Sequence, residues 1–109
     1  EGSALVFNRN DHRIDLVRLY HNNPSLFQTL IPVLIDQVAT LMELHIYHND
    51  YHFGNFLYDL VNHRVLIIDL ETMTFDRPIR HKDETFLRNI RQYHQTHDSH
   101  VIRPYLLRV

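Results

Sequence analysis

Two aspartates and an asparagine stand out in this chain, because their side chains and spacing suit the transfer of a phosphoryl group. Asp50 lies in the stretch His48-Asn49-Asp50-Tyr51-His52-Phe53-Gly54-Asn55, with Asn55 five residues on, and Asp69 ends the apolar run Val65-Leu66-Ile67-Ile68. Phosphoryl transfer needs a carboxylate that receives or orients the acceptor hydroxyl, and oxygen ligands that fix magnesium against the nucleotide phosphates. Asp50 can supply the first; Asn55 and Asp69 can supply the second. Each residue also has an ordinary structural use. Asp50 can cap an Asn-Asp-Tyr turn, and Asp69 can end a strand and start a turn with Thr72. The apolar run before Asp69 fixes it more rigidly than a turn requires, and the three spacings together favour the catalytic arrangement.

Written as H-x-D-x-x-x-x-N with a further Asp at a strand end, the stretch resembles the catalytic half of the protein-kinase-like superfamily. The finer pattern is D-x-H-x-G-N and then I-D-x-E, the latter carried by Ile68, Asp69 and Glu71. It is most similar to phosphotransferases of the aminoglycoside and choline kinase type, and is shared with atypical viral and bacterial protein kinases. The resemblance is carried by residues from about Val33 to Glu71. It implies that Asp50, Asn55 and His52 are the catalytic group, and that Asn55 and Asp69 bind ATP through Mg2+. The Asn55 carbonyl would face the metal while its amide braces Asp50, and Asp69 would sit between the phosphates as the D-F-G aspartate does. His52 stands where protein kinases usually have Lys, either bonding the loop backbone or facing the phosphates. His48 would pack beneath Asp69 and bond backbone. Glu71 is a further metal-facing group or a plain surface residue. Gly54 is expected where a side chain would obstruct the metal or demand an unusual φ. No A-P-E element follows Glu71, so the acceptor stays open between a hydroxyl-bearing small molecule and a protein Ser/Thr.

With 109 residues the chain is one domain at most, burying roughly two-thirds of its unfolded surface. An apolar content of 44% and a charged content of 22% are ordinary for a globular protein. A formal charge of −2 argues against nucleic acid as a partner. The absence of cysteine excludes disulfides, a thiolate nucleophile and thiolate metal ligands. No unbroken apolar run approaches the ~18 residues of a membrane span, and a cytoplasmic location without membrane contact is expected. Glu1-Gly2-Ser3 carries neither an initiator Met nor a signal-peptide pattern and reads as a cloning scar or an internal start. Lys82, the one lysine, follows Asp69, and Gly2 and Gly54 are the only glycines. The Gly-rich loop and lysine that cradle phosphates in such enzymes would therefore have to come from an N-lobe outside these residues. The alternative is a free-standing C-lobe that pairs with another kinase as a non-catalytic binding or inhibitory module.

The elements expected to position these residues make a mainly α-helical fold with a small β-hairpin, the C-terminal lobe of the kinase-like fold, as one unit over residues 1–109. Residues 1–11 would be the last N-lobe strand and hinge, with Ala4-Leu5-Val6-Phe7 as an edge able to pair with an N-lobe or to self-associate. The apolar residues between Ile14 and Tyr20 do not assign themselves. Residues 23–47 should be helical: Asn23 can cap and Pro24 suits the first helical position. Pro32 should kink that helix or open a new one, with Thr29 as a possible cap. Residues 48–71 hold the catalytic loop and the metal-binding hairpin, made of Phe56-Leu57-Tyr58, a turn near Asn62-His63, and Val65 to Ile68. In the C-terminal helical part, residues 72–109, Glu84 to Tyr93 forms an amphipathic helix with Phe86, Leu87 and Ile90 inward and Asp83 as its cap, and Val101 to Leu107 docks as a last helix. A competing reading is zinc, since His45, His48 and His52 or His94, His97 and His100 with Asp98 have suggestive spacings. Ten histidines produce such spacings by chance.

Overall fold

The apolar residues that resisted assignment from sequence divide between a strand and a helix. In the structure, a computed structural model that describes residues 12–68, 74–75 and 81–106, β1 (Arg13–Asp15) runs directly into α1 (Leu16–Asn22). Asp15 makes the switch, because its carboxylate accepts the Arg18 amide at 2.9 Å and caps the helix. The expected hinge strand Ala4–Phe7 and the residues Asp69 and Glu71 lie outside the described residues.

Asn23 and Pro24 start the next helix as their chemistry requires. The Asn23 side chain accepts the Leu26 amide at 3.2 Å, and Pro24 opens α2 (Pro24–Glu43). Pro32 neither ends this helix nor begins another. Thr29 does not cap either, since its hydroxyl donates back to the Ser25 carbonyl at 2.9 Å. The reason is packing on both sides of the proline. Phe27, Leu30, Ile31, Leu34 and Val38 share one buried face across it, and that burial outweighs the backbone hydrogen bond that a proline cannot make. By length and composition α2 could also cross a membrane; here its buried face is part of the core.

After β2 (Ile46–Tyr47), the loop 48–52 and a single 3-10 turn at Phe53–Asn55 lead into the hairpin of β3 (Phe56–Asp59) and β4 (Arg64–Ile67). Its antiparallel register pairs Phe56 with Ile67 and Asp59 with Arg64, and β1 covers the other edge of β3, giving the order β1-β3-β4. Asp59 builds the turn: its carboxylate accepts the Val61 and Asn62 amides at 2.9 and 3.1 Å and the Asn62 side chain at 2.9 Å. A second small sheet pairs β2 with β5 (Thr74–Phe75).

Helix α3 (His81–Thr96) packs along α2, with Phe86, Leu87, Ile90 and Tyr93 buried. The expected last helix is split into a 3-10 turn at Ser99–Ile102 and the short α4 (Arg103–Leu106). Phe86 is the hub of the aromatic core, with ring centroids 5.0 Å from Tyr51, 5.8 Å from Phe53 and 4.8 Å from Tyr105. The fold is thus mainly helical with a small antiparallel sheet.

Two outcomes follow. Phe86→Ala should lower unfolding free energy by about 3–5 kcal/mol in chemical denaturation, because the ring is 1% exposed and its removal leaves a cavity in the core. The Asn62 amide and side chain, aided by the Val61 amide and Arg13, outweigh burial and lower the Asp59 carboxyl from 3.8 to about 2. A folded value below the unfolded one gives stability that is present above pH ~4 and lost as pH falls towards 2. Asp59→Asn should therefore flatten the pH dependence of the thermal midpoint across that window.

Candidate active site

The candidate residues sit where α2 hands the chain to the hairpin. Leu44 closes α2, and His45 turns the chain sharply with φ 61°. Asn49 adopts φ 77°, a left-handed conformation that asparagine tolerates better than most residues. Its side-chain amide donates to the Tyr47 carbonyl at 3.2 Å, which fixes the bend just before Asp50.

Asp83 holds this bend from below. It is not the cap of α3 that its sequence position suggests. The helix begins two residues earlier, and Asp83 lies on its buried face with no exposed surface. One carboxylate oxygen accepts the His48 amide at 2.8 Å and the other accepts the Asn49 amide at 2.9 Å. Burial pushes the Asp83 carboxyl above its ordinary range, while these two amides pull it the other way. Above Asp83, Tyr51 stacks on His48 at 4.7 Å and on Phe86 at 5.0 Å, so the loop backbone rests on an aromatic floor.

Asp50 and Asn55 are brought together. The Asn55 side-chain amide donates to the Asp50 carbonyl at 2.8 Å, and the residue is 4% exposed. Because Asp50 presents a carbonyl, the Asn55 nitrogen must face it, which turns the Asn55 Oδ1 away from that bond. The Asn55 carbonyl accepts the Ile68 amide at 2.8 Å, and the His48 Nε2 lies 3.1 Å from the Ile68 carbonyl. Ile68, the residue that precedes Asp69, is thus tied to the loop on both its backbone groups. His48 has the buried, backbone-bonding role expected of it.

His52 accepts the Gly54 amide on Nδ1 at 3.2 Å, the backbone-bonding option of the two expected for it. Gly54 has no positive φ, contrary to one expectation, and a Cβ there would meet the His52 ring at 3.0 Å. The glycine makes room for the histidine. Neither histidine trio forms a metal site, since no three metal-ligating side chains converge among the described residues. A donor set of Asn55 and Asp69 suits magnesium, which accepts few protein ligands and keeps several waters. Beside Asp50 is a cavity of about 320 Å³ between the loop and the start of α3.

Sequence reasoning placed Asp50, Asn55 and His52 in one loop but missed Asp83 and Tyr51. The signal for Asp83 was its phase: it precedes Phe86 and Leu87 by three and four residues, on the inward face. Comparison of the chain with protein-family models, curated proteins and solved structures gives no match.

Asp83→Asn keeps one acceptor oxygen and sets an N–H against the second loop amide. It should cost about 1–3 kcal/mol, the penalty of a buried donor left unpaired. Hydrogen exchange should accelerate first at the His48 and Asn49 amides, ahead of the α2 interior. Unchanged protection at those two amides would show that Asp83 does not hold the loop.

Proposed function

We propose that this chain is the catalytic lobe of an ATP-dependent phosphotransferase of the kinase-like type, which moves the γ-phosphoryl group of ATP to a hydroxyl. One observation carries the reading: a single hydrogen-bonded frame joins His48, Asp50, Asn55 and Ile68. Nothing in a plain turn-capping role for Asp50 calls for a buried asparagine across its carbonyl and a link to the strand before a second aspartate.

In this reading Asp50 orients the acceptor hydroxyl and takes its proton. The acceptor oxygen bonds to the γ-phosphorus as the bond from that phosphorus to the bridging β–γ oxygen breaks, and ADP leaves with that oxygen. Asn55 and Asp69 would hold Mg2+, which supplies charge neutralisation to the nucleotide phosphates. Asn55 has a second task, because its amide fixes the backbone of Asp50 and thereby the direction of the carboxylate. His52 and Gly54 fix the turn between them. The phosphate cradle and its lysine would come from an N-lobe, which Ala4–Phe7 is proposed to join.

The test uses two variants of the intact protein. Asp50→Asn should lower turnover by about 10²–10⁴-fold and leave nucleotide affinity nearly unchanged, because the carboxylate acts on the acceptor. Asp69→Asn should lose magnesium-dependent nucleotide binding together with turnover. If both variants fold and keep wild-type turnover, the assignment fails and a non-catalytic binding module is the better account.

A further inference from the structure

The cavity beside Asp50 carries information about the acceptor. Its volume of about 320 Å³ suits a small molecule. Asp50 and Tyr51 line it from the loop, His81, Lys82 and Thr85 from the first turns of α3, and Tyr105 from α4.

Among the described residues the charged side chains that line it are Asp50, on the loop, and Lys82, next to His81 on α3. Lys82 is the only lysine of the chain, and both it and His81 are exposed. Among the described residues, Asp50 is the only acid that lines the cavity. Asp83, in the same helical turn, has each oxygen occupied by a loop amide, and Glu84 does not line the cavity. The amide dipoles at the start of a sixteen-residue helix add positive potential. Tyr51 is 5% exposed, and its hydroxyl has no hydrogen-bond partner among the described residues. With Asp50 engaged by the acceptor hydroxyl, the charged group left to meet the rest of the acceptor is the Lys82 ammonium. An acceptor carrying an anion would find a lysine, a histidine and a helix start arranged around it.

We propose that the hydroxyl presented to Asp50 belongs to a small compound that also bears a phosphate or carboxylate group, held in this cavity by Lys82 and His81. This rests on the phosphotransferase reading. It adds that the acceptor is anionic. Asp50 takes the proton of the hydroxyl, the new bond forms from that oxygen to the γ-phosphorus of ATP as the bond to the bridging β–γ oxygen breaks and ADP leaves, and the anionic group stays unreacted as the handle.

The experiment measures binding to the intact protein by calorimetry, with glycerol 3-phosphate and glycerate as anionic probes and glycerol as the uncharged control. At least one anionic probe should bind saturably and glycerol should not, and the two anionic arms decide between phosphate and carboxylate. Lys82→Gln should weaken the bound probe about tenfold or more, the value of one charge-assisted hydrogen bond, with an unchanged melting temperature. Arg88→Gln, on an exposed position of α3 outside the cavity, should bind as wild type. Equal binding by Lys82→Gln, equal binding of glycerol, no binding of either anionic probe, or binding only of an acidic serine peptide would each overturn the proposal. Turnover of ATP in Asp69→Asn separates the two readings. If it persists, the phosphotransferase reading falls; if it is lost while anion binding ignores Lys82, only the anionic acceptor falls.

Discussion

Asp83 is a carboxylate with no exposed surface, and a buried charge is tolerated only where hydrogen bonds replace the water it has lost. Here the replacement is the backbone of the candidate loop itself, one oxygen to the amide of His48 and the other to that of Asn49. The dependence runs both ways. Asp83 accepts two buried N–H groups of the loop, and those amides in turn solvate an acid buried on α3. Neither element can shift without exposing the other's cost, so the pair acts as a lock between α3 and residues 48–49.

From that lock the rest of the site follows in order. Asn49 can hold a left-handed backbone because its own amide and its side chain are both bonded, the first to Asp83 and the second to Tyr47. Tyr51 then falls onto the ring of His48 and against Phe86. With His48 fixed, its Nε2 meets the Ile68 carbonyl, and the hairpin is drawn to the loop so that Asn55 bonds Asp50 on one side and Ile68 on the other. Phe86 is important for the same reason as Asp83: both project from one face of α3, and the apolar contact of α3 with α2 sets the height of that face.

Much of this was legible in the sequence, and the exceptions share a cause. The Asn23-Pro24 helix start, the hairpin and the inward face of α3 rest on local chemistry and short periodicities, which act within a few residues. Pro32 was ambiguous because its effect depends on whether the residues on either side share a buried face, and Phe27, Leu30, Ile31, Leu34 and Val38 show that they do. Asp83 was misread because an acid near a helix start is usually a cap. Only its partners, more than thirty residues earlier in the chain, reveal it as a buried clamp. The meeting of Asp50 with Asn55 was anticipated, yet the bond runs to the backbone carbonyl of Asp50 rather than to its side chain. The room that Gly54 gives the His52 ring is a local contact two residues apart, set by the backbone path of the turn and without a signature in composition.

The proposed phosphotransferase role requires Asn55 and Asp69 to reach one metal–nucleotide complex. Paramagnetic line broadening tests this most directly, with Mn2+ in place of magnesium and a non-hydrolysable ATP analogue added to the intact protein. The Asn55 side-chain amide and the Asp69 backbone amide should broaden first and together, both effects should need the nucleotide, and the amides of His94 to His100 should be untouched. Broadening that begins at the histidine-rich stretch, or that reaches Asn55 without Asp69, would contradict it.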